Sequence, residues 1–178
     1  MARRYLRSLK YLIFQSQSRK KALASFVDQW TALDYQWLDA TKVRFDVIDN
    51  RALEACHRWG GDAQFPWEDV AAWKTLDAKG FDLSIWHDEQ LCGLCYATPR
   101  DSKVTIKIVL LEGCSDSKHP LKGLIAALAL GAIDAYARAI GCSRIEIQEP
   151  RPDAVPTYER LGFNYDEQRR LVISVEAT

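Results

Sequence analysis

The chain has 178 residues, enough for one domain with a self-sufficient core, and its 48% hydrophobic and 27% charged residues are an ordinary globular mixture. No apolar run approaches the roughly 20 residues of a membrane-spanning helix, and the five cysteines (Cys56, Cys92, Cys95, Cys114, Cys142) are too scattered for a disulfide scaffold, which fits reduced thiols in a cytoplasmic protein. The formal net charge of zero hides an asymmetry: Met1 to Lys21 carries seven basic residues and no acid, leaving 17 basic against 24 acidic residues elsewhere.

Arg3, Arg4, Arg7, Lys10, Arg19, Lys20 and Lys21 supply that positive end. Leu6, Leu9 and Ile13 fall on one helical face and Arg3, Arg7 and Lys10 on another, so the segment reads as a basic amphipathic helix. Such a helix can pack on its own domain with a solvated basic face, or touch RNA, an anionic membrane or a protein partner. Tyr11-Leu12-Ile13-Phe14 is shorter than the about 7 residues of a secretory apolar core, and no small-residue cleavage site follows it. A second helix, Lys20 to about Trp37, is anchored by Leu23, Phe26 and Trp30. Residues 1–40 are read as an N-terminal helical extension and 41–178 as the main domain.

Arg44 to Ile48 reads as a short strand, and Asp49 or Asn50 caps a helix over ALEACHRW that stops at Gly60-Gly61. Beyond Pro66, the spacing of Val70, Trp73 and Leu76 predicts a helix ending at Gly80. Phe81 to His87 and Gln90 to Thr98 form a hairpin across Asp88-Glu89, and a strand from Val104 to Leu111 follows. Between Leu121 and Ile140 the only charged residues are Lys122, Asp134 and Arg138, so this helix is apolar nearly all round and lies buried across a sheet, with Asp134 and Arg138 as an i,i+4 pair. Gly141 ends it, and Arg144 to Gln148 is the next strand. A strand, a crossover helix and a strand make a right-handed parallel unit. The groove beside the start of such a helix suits an anionic ligand, because unpaired N–H groups and the helix dipole converge there. The fold class is a mixed α/β (α+β) sheet flanked by helices, with the extra basic helix at the N-terminus.

The order from Phe81 onward, and above all the segment Arg151-Pro152-Asp153-Ala154-Val155-Pro156-Thr157-Tyr158-Glu159-Arg160-Leu161-Gly162-Phe163, resembles the GCN5-related N-acetyltransferases, whose corresponding segment is Asn-x-x-Ala-x-x-x-Tyr-x-x-x-Gly-Phe. Arg151 stands at the Asn and the rest fits. The resemblance implies an acyl-CoA N-acyltransferase fold, with acetyl-CoA as co-substrate and an amine-bearing acceptor (small molecule, protein or aminoacyl-tRNA). It implies Tyr158 as general acid toward the departing thiolate, in direct attack, on a helix capped by Asp153 and closed by a left-handed Gly162. A backbone N–H near Leu110 or Leu111 would polarise the carbonyl. Glu112 leads as base, with Glu149 or His87 through water as alternatives. The family's phosphate loop, Arg/Gln-x-x-Gly-x-Gly/Ala, falls either on Leu121, Leu124 and Ala126 or on Lys118, Leu121 and Gly123; leucine stands at the first glycine in both registers. Lys118, Leu121, Lys122, Gly123, Leu124, Ile125 and Ala126 are accordingly the CoA-binding set. A homodimer is compatible with this reading, and the alternative is a non-catalytic binding or regulatory protein on the same scaffold.

No metal is signalled. Cys92 and Cys95 are three apart in a strand and are expected on opposite faces, which argues against a shared metal or a disulfide. Of the six tryptophans, Trp59 and Trp67 border the loop expected to shape the acceptor site.

Overall fold

A computed structural model describes residues 2–33, 37–61 and 64–175, of which 2–7 by backbone alone. A seven-stranded sheet runs in the order β1-β2-β3-β4-β5-β7-β6. Its strands are β1 (Val43–Asp46), β2 (Phe81–His87), β3 (Gln90–Thr98), β4 (Thr105–Gly113), β5 (Arg144–Ile147), β6 (Asn164–Tyr165) and β7 (Leu171–Ser174). All neighbours are antiparallel except β4 and β5, which pair in parallel from Thr105–Arg144 to Ile108–Ile147. The helices are α1 (Ala2–Ala32), α2 (Asn50–His57), α3 (Val70–Leu76), α4 (Ile125–Ile140) and α5 (Val155–Arg160). With α1, α4 and α5 packed on one face and α2 and α3 on the other, the sheet separates two apolar clusters.

The hairpin β2–β3 has the boundaries expected from the sequence, and α4 is the crossover helix. It starts at Ile125 and not at Leu121, because Leu121 to Leu124 form turns. Leu128, Ile133 and Tyr136 bury against the sheet, each aliphatic side chain contributing about 2 kcal/mol. Gly141 caps α4 with φ +82°, a conformation that favours glycine, and the Asp134–Arg138 pair is present. α3 stops at Leu76, before Gly80, and Asp49 caps α2 by accepting from the Ala52 N–H.

Two expectations fail at α1. One continuous helix of 31 residues replaces the expected pair. The described part of the apolar stripe does not face the core: Leu9 and Ile13 are 41% and 46% exposed, whereas Gln15, Ser18 and Arg19 are buried. Polar anchors set this rotation. Gln15 donates to the Gly80 carbonyl at 2.8 Å, and Arg19 donates to the Asp82 carbonyl at 2.7 and 3.0 Å and to its carboxylate at 3.0 Å. The same carboxylate accepts from Lys74 and from the Ile48 N–H, each at 2.7 Å. Burial pushes the Arg19 pKa down, with Asp82 opposing it. Beyond this cluster Phe26 and Trp30 lie against the core. The side chains of Arg3, Arg4, Leu6 and Arg7, on which half of the sequence stripe rests, lie outside the described residues.

Two bulges were also not foreseen. Ile85 pairs with Gly93 and Trp86 with Leu91, so Cys92 is the extra residue; Tyr96 pairs with Leu110 and Ala97 with Ile108, so Val109 is extra in β4. The first bulge overturns the opposite-face argument for the Cys-x-x-Cys pair. Cys92 and Cys95 both sit in the cluster beneath α4, as buried free thiols, and no metal-binding group of His, Cys, Asp or Glu exists among the described residues.

Candidate active site

The parallel pair stops short. Its last bond runs from the Gln148 N–H to the Ile108 carbonyl at 2.9 Å, and from Val109 onward the two strands part. The bulge starts where the pairing ends. Val109 and Leu111 face the opening from β4, Gln148 and Glu149 from the end of β5, and Tyr158 from α5. This cleft holds about 80 Å³. Leu110, one of the two residues near which a backbone donor was expected, instead turns its side chain to the opposite cluster, and the bulge lies one residue before it. Glu149 takes a left-handed backbone, φ +47°, a strain that non-glycine residues adopt sparingly and that gathers at functional sites.

Tyr158 reaches the cleft because α5 is short and pinned at both ends. Pro156 sits in its first turn, where the missing N–H costs nothing, and Gly162 leaves it at φ +99°. Asp153 does not cap it: Ala154 is the cap residue, and Asp153 instead pairs with Arg151 at 3.1 Å. The Tyr158 ring packs edge-on against Phe163, and burial, then the neighbouring Cys95, pushes its phenol up to about 12. Among the described residues no hydrogen bond engages its hydroxyl.

On the other face of the sheet a second cavity, about 440 Å³, lies between α3 and β3, walled by Trp73, Leu76 and Tyr96. Val109 and Gln148 line both cavities. The two hollows therefore flank the bulge, one on each side of the sheet. Gln148 was not singled out by sequence, being one polar residue at a strand end.

Of the expected bases, Glu149 alone lines the cleft. Glu112 accepts from the Gln64 N–H at 2.9 Å and from Trp67 Nε1 at 2.7 Å, and so holds the 64–67 segment against β4. Arg151 in turn donates to the Gln64 side chain, which ties that segment to the start of α5 across the cleft. His87 lies at the far end of β2 beside Asp88. Trp59 donates to the Leu91 carbonyl and borders a separate hollow beside Arg58 and Cys114.

The start of α4 is built on close approach. A Cβ on Gly93 would lie 2.6 Å from Ile125 Cγ2, so only a bare backbone at the Cys92 bulge lets the helix sit there. Ahead of it, the N–H groups of Gly123, Ile125, Ala126 and Ala127 find no backbone acceptor among the described residues. Together with the helix dipole they form an anion cradle. One expected register sets Leu121, Leu124 and Ala126 on the loop positions, the other Lys118, Leu121 and Gly123. Leu124 is right-handed helical, φ −103°, so the backbone there needs no glycine; Gly123 carries the left-handed turn, φ +82°. Leu121 is fully buried, whereas Lys118 and Lys122 are exposed at the cradle. His119, also unforeseen, is buried with Nδ1 unpartnered, and burial, reinforced by Lys122, lowers its pKa.

No protein-family model and no curated protein sequence matches the chain. Solved structures do match in shape. The ribosomal-protein-S18-alanine N-acetyltransferase from Escherichia coli superposes with a TM-score of 0.55 at 14% identity, over 76% of this chain and 96% of that one. Ard1 from Thermoplasma volcanium gives 0.58 at 11%, over 76% and 99%. The chain has the GCN5-related N-acetyltransferase fold. An aminoglycoside 6'-N-acetyltransferase complexed with coenzyme A shares this acetyltransferase fold at 0.56 and 10%, over 75% and 98%. Within the fold, the parting of β4 and β5 and the bare N–H groups ahead of α4 are the features that the sequence resemblance implied. No described helix is long and apolar enough to cross a membrane.

Proposed function

We propose that the protein is an N-acetyltransferase that moves an acetyl group from acetyl-CoA to an amine. One observation carries this reading: a cleft holding Tyr158 and a second cavity on the opposite face share Val109 and Gln148 as walls, which sets places for two substrates on either side of one stretch of backbone. The donor fits the residues present. Its pyrophosphate would take the N–H groups of Gly123 and Ile125 to Ala127, supported by Lys118 and Lys122, and its thioester arm would run toward the cleft, which Phe65 and Arg151 must widen.

In the reaction the amine nitrogen bonds to the acetyl carbon and the C–S bond breaks. The backbone at the Val109 bulge supports the oxygen as it gains charge. Glu149 accepts the proton the amine must lose; Glu112, with both oxygens engaged, serves the loop instead. A phenol near 12 is a weaker acid than an ordinary thiol near 8.5. Tyr158 therefore stabilises the developing thiolate as a hydrogen-bond donor, and the sulfur takes its proton from solvent.

The test is Tyr158→Phe. Because the hydroxyl bonds no described residue in the free protein, the variant should keep its stability and its acetyl-CoA affinity by calorimetry while kcat falls about 10²-fold. Wild-type protein that takes up no acetyl-CoA at millimolar concentration would leave the scaffold reading, a non-catalytic binding protein, in its place.

A further inference from the structure

We infer that the acceptor is a small, apolar-bodied primary amine of aromatic size, seated against Trp73, Leu76 and Tyr96, and not a polyamine or a protein N-terminus. The inference rests on the acetyltransferase reading for the role of the amine, and on the second cavity for its chemistry. At about 440 Å³ that cavity is of small-molecule size. One side of it is apolar: the indole of Trp73 and the ring of Tyr96 meet at 5.4 Å between centroids with 51° between planes, leaving an angled aromatic surface beside Val109.

Leu76 is the sharper observation. It ends α3 with 87% of its surface exposed, the most of any large hydrophobic residue described, and it stands on the wall of this cavity. Neither apolar cluster includes it. A ligand lying against Trp73 would cover it, which gives an otherwise solvated leucine an apolar neighbour.

The charges present speak against a polycation. Among the described residues Asp77 is the one carboxylate on the wall, and it already accepts from the Thr98 hydroxyl and the Lys79 N–H. Arg100, the one cation among the described wall residues, adds repulsion. A chain of ammonium groups would find a single, occupied counter-charge. At the other end Gln148, whose side chain makes no hydrogen bond to a described residue, can accept from the amine and aim its lone pair at the bulge, which makes it a positioning residue.

The experiment pairs turnover with binding. 2-Phenylethylamine, tryptamine, spermidine and an alanine-terminated hexapeptide are offered with acetyl-CoA, and thiol release is followed. The two aromatic amines should be preferred by at least tenfold in kcat/KM, and Leu76→Arg, at a residue too exposed to matter for folding, should raise their KM about tenfold while leaving the acetyl-CoA KM alone. Preference for spermidine or peptide, or an unchanged amine KM in Leu76→Arg, overturns the inference. If no amine turns over, calorimetry with tryptamine alone separates the two failures. Binding that Leu76→Arg abolishes upholds the pocket and refutes the enzyme, whereas no binding refutes the pocket.

Discussion

Replacing Arg19 by methionine tests whether α1 belongs to the core or merely leans on it. The guanidinium is buried, makes three hydrogen bonds to Asp82, and lies 5.0 Å from the centre of the Phe81 ring. Methionine keeps the length and apolar stem but abandons the Asp82 carbonyl and half of its carboxylate. Removing one partner of a buried pair typically costs about 3–5 kcal/mol. Lys74 and the Ile48 N–H still hold the other oxygen, so the lower end, about 3 kcal/mol, applies. At about 2–4 °C per kcal/mol for a chain of this size, that lowers Tm by about 6–12 °C. Urea unfolding followed by tryptophan fluorescence and by far-ultraviolet circular dichroism measures it, and the two signals should move together. A loss below about 1 kcal/mol, or a helical signal that melts ahead of an unmoved fluorescence transition, would show that α1 is an appendage whose burial of Arg19 stabilises nothing beyond itself.

Gly93→Ala should push against Ile125, cost about 1–3 kcal/mol by overpacking, and raise the acetyl-CoA KM several-fold through the displaced start of α4; an unchanged KM and Tm would mean the contact relaxes freely. Alkali should destabilise the fold. Burial pushes Cys92 to about 11 and Cys56, Tyr96 and Tyr158 to about 12, above their ordinary 9 and 10, so the folded state holds these protons longer than the unfolded chain. That stabilisation is complete below pH about 9 and is lost as pH rises from 9 to 12, so the urea midpoint should fall across this window, and a midpoint flat to pH 11 would contradict the burial of these groups.

What the sequence revealed and what it hid divide along a physical line. The β2–β3 hairpin, α4, Gly141 and Gly162 were legible because each rests on local periodicity or on a backbone angle that one residue type favours. The rotation of α1 was not, since Gln15 and Arg19 are buried by partners 65 and 63 residues away. Bulges at Cys92 and Val109 belong to the pairing of two strands, and neither strand shows them alone. Tyr158 was found through a spaced motif ending in Gly162-Phe163. Gln148 drew no notice because its place on the walls of two hollows exists only in the folded chain, and an acid at a strand end such as Glu112 looks the same in sequence whether it meets solvent or holds Gln64 and Trp67.

The seating of α1 on α4 also sets an order of events during synthesis. Ala32 ends the first helix and Ile125 begins its partner, so at about 5–20 residues per second the ribosome delivers α4 roughly 5–20 s after α1 is complete. A 31-residue helix needs only its own hydrogen bonds to form in that interval, but Phe14, Leu23 and Phe26 have nowhere to go. Asp82 emerges well before α4. The Arg19 ion pair is thus available as an early tether, holding the nascent helix beside β2 until its apolar berth has been translated.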